Sequence, residues 1–167
     1  MQRTGLRPPL NRCYVRPSAS QAPMDQGIYV TRIWSDDDMV ELEIAVADGT
    51  SRFVSRVYVG YPDLADTISR LDAFRSHVHG GLFDMRFGEF GCEYANGAFH
   101  ARFHFLTPGK LFITIQQESE FHDFGRKRVA SSATLYLRTE PALLDRFVGE
   151  LKRLPSEAQA EACLEAV

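Results

Sequence analysis

Between residues 27 and 138 apolar and polar side chains mostly alternate, as in Val40-Glu41-Leu42-Glu43-Ile44, which is the signature of strands with one buried face. The pattern predicts strands near 27–34, 38–47, 51–60, 82–87, 90–95, 98–106, 110–118 and 127–138. Three dipeptides punctuate it: Asp48-Gly49, Asn96-Gly97 and Pro108-Gly109. The first two suit two-residue type I′ hairpins and the third a type II turn, because glycine supplies the positive φ that each requires. Two-residue loops would set Ile44 opposite Phe53, Val40 opposite Val57 and Glu41 opposite Arg56. The same counting gathers Phe90, Tyr94, Phe99, Phe103, Phe105 and Phe112 on one face as a core wall.

Two segments switch to the helical period. Residues 62–76 place Leu64, Ile68, Leu71 and Phe74 on one stripe, with Asp63 and Asp66 in the first turn where the helix dipole favours negative charge. Residues 139–154 repeat Leu143, Leu144, Phe147, Val148, Leu151 and Leu154, with Thr139 as N-cap and Pro155 as the stop. A short C-terminal helix through Ala158, Ala162 and Leu164 is also expected. Two long helices are too few to cover both faces of a parallel sheet. The predicted fold is therefore α+β: a mainly antiparallel curved sheet or two-sheet sandwich of seven or eight strands, with two packed α-helices.

The first 23 residues break the pattern, carrying Pro8, Pro9, Pro17 and Pro23 without any period. They are read as a disordered tail, 1–23, ahead of a single domain, 24–167. The tail also holds Arg3, Arg7, Arg12 and Arg16 and no acid, so removing those four charges from the net −3 leaves −7 for the domain. Such a domain repels phosphate backbones and attracts basic partners, so the expectation is a basic protein partner and no nucleic acid. No apolar run is long enough to span a bilayer, so no membrane association is expected. Cys13, Cys92 and Cys163 are odd in number and far apart, suggesting neither a disulfide framework nor a zinc motif. A reducing cytoplasm fits them.

Candidate chemistry is sparse. His100, Arg102 and His104 share one strand face, and hairpin counting adds Glu93 and Gln117 opposite His100; Glu93, His100, Arg102 and His104 are the candidate ligand or partner-binding residues. Strand residues four apart lie roughly 13 Å apart, too far for His100 and His104 to share a metal ion comfortably. A solvated polar face is the plainer reading. His77-Val78-His79 sits at an expected helix end, where histidine serves the last carbonyls. His122 falls in a loop, Cys92 is read as a small buried residue, and Asp36-Asp37-Asp38 as a solvated turn. No Gly-x-Ser-x-Gly elbow, phosphate loop or dinucleotide fingerprint occurs, so no catalytic residue, metal or cofactor is expected.

The strand at Val40-Glu41-Leu42-Glu43-Ile44, the helix in 62–76, the Phe-rich strand 98–106 and Ala133-Thr134-Leu135-Tyr136-Leu137 running into a helix from Pro141 together resemble the WapI-type immunity proteins of bacterial contact-dependent toxin systems. The resemblance covers residues 38–154 and lies in arrangement. It implies a non-enzymatic binding protein that occludes a cognate toxin and transfers no catalytic residues. The alternative is a small-molecule binding domain with a pocket between helix and sheet.

Overall fold

The computed structural model describes residues 25–94 and 96–167; the segment 1–23, with Cys13, lies outside them. The described chain is α+β, with two four-stranded antiparallel sheets and a small hairpin. Sheet A has the order β10-β1-β2-β3, built from β1 (Gly27–Ser35), β2 (Met39–Ala47), β3 (Arg52–Gly60) and β10 (Glu161–Glu165). Sheet B has the order β4-β5-β6-β9, from β4 (Gly81–Phe87), β5 (Ala98–Thr107), β6 (Lys110–Glu118) and β9 (Ser132–Thr139). Strands β7 (His122–Phe124) and β8 (Lys127–Val129) form the separate hairpin, so the strand expected over 127–138 is broken in two. The architecture is a sandwich; a single curved sheet is not formed.

Strand β3, the edge of sheet A, packs across β4, β5 and β6. Helix α1 (Tyr61–Phe74) follows it directly and buries Leu64, Ile68, Leu71 and Phe74. Phe74 meets Phe83, Phe103 and Phe105 at centroid separations of 5.7, 6.4 and 5.3 Å, which seats α1 on the core face of sheet B. Helix α2 (Pro141–Leu151) runs beside β10, and its Glu150 carboxylate accepts from the edge N–H of Cys163 at 2.7 Å. An acid on that donor blunts a strand edge that would otherwise invite pairing. Residues of both sheets and both helices form one apolar cluster.

Several expectations are corrected. Residues 161–165 form a strand against β1 in place of the expected C-terminal helix, because the free edge of β1 accepts their alternation: Ala162 and Leu164 face the core, Glu161 and Glu165 face solvent. Thr139 is not a helix cap; it ends β9, and its buried hydroxyl donates to Glu165 O. Glu140 takes the N-cap position without a side-chain bond. The guanidinium of Arg32 donates to the carbonyls of Leu154 and Pro155 at 3.1 and 3.0 Å, fixing the turn where α2 has ended.

Registers differ for identifiable reasons. The β2–β3 loop has four residues, since the Asp48 carboxylate accepts from the amides of Thr50 and Ser51. Ile44 thus faces Ser55, Val40 faces Val59, and Arg56 meets Glu43, not Glu41; a shift of two leaves the faces unchanged. Beyond the two-residue Pro108-Gly109 loop, a bulge at Leu106 pairs Phe105 with Leu111 and carries Phe112 to the outer face opposite His104. Residues 90–94 contribute no strand, so β4 pairs directly with β5 across the 88–97 connection. Gly97 is no hairpin tip with positive φ: a Cβ there would lie 2.4 Å from Glu118 O and 3.1 Å from Arg56 O, so the position needs glycine for close approach of the two sheets. The core wall consists of Phe83, Phe87, Phe99, Phe103 and Phe105, while Phe90, Tyr94 and Phe112 stay partly exposed.

Candidate functional site

The outer face of sheet B is turned away from both helices and reads in rows across β4, β5 and β6: Leu82, His104 and Phe112; Asp84, Arg102 and Thr114; Arg86, His100 and Gln116. Alternation puts these side chains on the face opposite Phe83, Met85, Phe99, Ala101 and Phe103, all of which are buried. His100, Arg102 and His104 share the face as expected. Glu93 does not join them; it lies in the 88–97 loop. Gln117 does not either, since it pairs with Phe99 and points into the core.

Asp84 organises this face. Its Oδ1 accepts from His100 Nε2 at 2.7 Å and from Arg102 Nε at 2.8 Å, and its Oδ2 accepts from an Arg102 Nη at 3.2 Å. The carboxylate offers only acceptors, so His100 donates through Nε2 and its Nδ1 is left for other partners. The bonds from Arg102 and then from His100 hold the Asp84 carboxyl down at about 2, against the opposing effect of partial burial. Two cationic or donor side chains are thus held in place by one acid.

Beside this triad, Arg86, Phe90, His100, Arg102, Thr114 and Gln116 line an open depression of about 390 Å³. Arg86 has no carboxylate partner among the described residues. The lining contains no acid, and Glu118, the nearest acid along β6, accepts instead from Gly91 N at 2.9 Å. His104 lies outside the lining. The arrangement can hold an anion.

A second surface of different character lies on sheet A. Trp34, Glu41 and Tyr58 form one row across β1, β2 and β3 on the outer face. The rings of Trp34 and Tyr58 meet edge to face at 6.0 Å, yet they remain 46% and 44% exposed. Ile33, at the bulge in β1, and Met39 are exposed alongside. The adjoining β1–β2 turn is Asp36-Asp37-Asp38, where Asp36 Oδ1 accepts from the amides of Asp38 and Met39 at 2.9 Å, so the expected turn forms. None of Asp36, Asp37, Asp38 or Glu41 is in an ion pair among the described residues, unlike Glu43, which holds Arg56 at 3.0 Å.

The other candidates are local. His77 Nδ1 lies 3.3 Å from Phe74 O just past α1, as expected for a helix-end histidine, and its ring stacks on Phe74. His122 is exposed in β7, and Cys92 is exposed in the 88–97 loop, where no strand exists to bury it. Among the described residues no group of His, Cys, Asp and Glu is arranged to hold a metal ion, and no helix is long and apolar enough to cross a membrane.

Asp84, Arg86 and Trp34 escaped the sequence reading. Asp84 and Arg86 alternate correctly with Phe83 and Met85, but placing a strand at 90–95 put the wrong neighbour beside β5 and hid their pairing with Arg102 and His100 across β4 and β5. Trp34 carried one signal, being the chain's single tryptophan. No protein-family model matches the chain, and no curated protein or solved structure matches it.

Proposed function

We propose that this is a non-enzymatic binding protein that occludes a basic protein partner, in the manner of an immunity protein seated over the active cleft of a cognate toxin. One observation carries the reading: the exposed Trp34–Tyr58 pair is bordered by Glu41 and Asp36-Asp37-Asp38, four carboxylates without cationic partners among the described residues. Tryptophan and tyrosine are the residues that most often anchor protein interfaces. A ring of unpaired acids beside them favours a cationic partner and speeds encounter with it. The net −7 of residues 24–167 acts in the same direction at longer range. Cys92 and Cys163 are free thiols, in keeping with action in a reducing cytoplasm.

The test is rescue of growth when the protein is co-expressed with the product of each adjacent open reading frame. Rescue of one toxic product is expected. Trp34→Ala should weaken binding by about 2 kcal/mol or more, roughly thirtyfold, and Asp37→Lys should slow association, with neither variant altering the melting temperature. Failure to neutralise any neighbouring product, or undiminished rescue by both variants, would refute the reading.

A further inference from the structure

We further infer that the depression on the outer face of sheet B is a site for a small phosphomonoester, with Arg86 as its principal anchor. This site is independent of the sheet A surface, sharing neither residues nor charge with it. Donors converge on it from three strands: Arg86 from β4, Arg102 from β5, and the Thr114 hydroxyl and Gln116 amide from β6. A planar carboxylate is satisfied by one guanidinium fork, whereas a phosphoryl group with three free oxygens accepts from several directions. The donor set suits the second geometry.

Asp84 gives the site its order. It occupies Arg102 Nε and one Nη, which fixes the guanidinium plane and leaves the other Nη for a ligand. It also fixes His100 through Nε2, which holds the imidazole ring in place at the edge of the depression. Arg86 is unneutralised among the described residues, on a domain whose net charge is otherwise negative, so this patch opposes the charge of its surroundings. Phe90, 41% exposed, stands at the rim and supplies an aromatic surface for the organic part of the ligand.

Titration calorimetry of the whole chain with inorganic phosphate, phenyl phosphate and benzoate tests the assignment. Phenyl phosphate is expected to bind about tenfold more tightly than either of the others, because only it combines the phosphoryl group with a ring for Phe90. Arg86→Gln should cut its affinity by at least about tenfold, and Phe90→Ala should bring it down to that of inorganic phosphate. Arg86 and Phe90 are exposed, so circular dichroism should show both variants folded. Tyr136→Ala, on the same face but outside the lining, should bind as the parent does. Absence of saturable binding of phenyl phosphate, equal affinity for benzoate, or an unchanged affinity in Arg86→Gln would each overturn the site. None of these outcomes bears on the toxin-rescue experiment, so the two proposals stand or fall separately.

Discussion

Replacing Gln117 by leucine should destabilise the protein although leucine is the more apolar residue. Gln117 is 1% exposed on β6, and its amide nitrogen crosses between the sheets, donating to Ile44 O at 3.1 Å and to Ser55 Oγ at 2.9 Å. Leucine removes both bonds and leaves the buried Ser55 hydroxyl and Ile44 carbonyl without that donor, a cost of about 1–3 kcal/mol for each group that finds no other. Two gains oppose the loss. Gln117 Oε1 is itself buried without a partner, and deleting it together with added apolar burial returns about 1–2 kcal/mol. The net expectation is a loss of about 1–3 kcal/mol. Ser55→Ala alone should cost about 1 kcal/mol, and the double variant should cost less than the sum by a similar amount, since the second change removes a group that the first one orphaned. Urea unfolding followed by far-ultraviolet circular dichroism measures all three. A midpoint for Gln117→Leu equal to or above that of the parent, or strictly additive costs, would refute the claim that this amide ties the sheets together.

Phe103→Ala should cost about 3–5 kcal/mol, because Phe103 is fully buried between Phe74 and Phe83; a loss below about 1 kcal/mol in the same unfolding assay would mean that β5 presents its other face to the core. Asp84 has its carboxyl held down to about 2, so its ionised form adds stability that is present above the ordinary carboxyl range and is lost as pH falls from about 4 toward 2. Asp84→Asn should therefore be less stable than the parent at pH 6 by about 1–2 kcal/mol, after allowance for the partial exposure of Arg102, and the gap should close near pH 2. A gap that is constant across that range would show that the carboxylate charge contributes nothing.

Much of this fold was legible because it rests on local rules. Period two in 38–47, 51–60, 98–106 and 110–118 marks strands that exist at those places, and the stripe Leu64, Ile68, Leu71, Phe74 is the buried face of α1. His100, Arg102 and His104 were placed on one face for the same reason: alternation along a strand needs no knowledge of its partner. Their partner was another matter. A phantom strand at 90–95 displaced β4, and with it Asp84 and Arg86, so the acid that orders the face and the arginine that anchors the depression were missed together.

The C-terminal segment shows where local signals mislead. Alanine and glutamate favour a helix in isolation, yet the unpaired edge of β1 offers residues 161–165 a ladder and buries Ala162 and Leu164. The bulge at Leu106 has the same lesson for packing, because one extra residue sends Phe112 outward instead of into the wall of phenylalanines. By itself the sequence determined the class of fold, most strand positions and both helices, since these follow from residue periodicity and turn chemistry within a few positions. Strand order, the crossing of Gln117 between sheets, the Asp84 triad and the acid-ringed Trp34–Tyr58 pair were decided only by tertiary structure, because each depends on contacts between residues distant in the chain that no local period encodes.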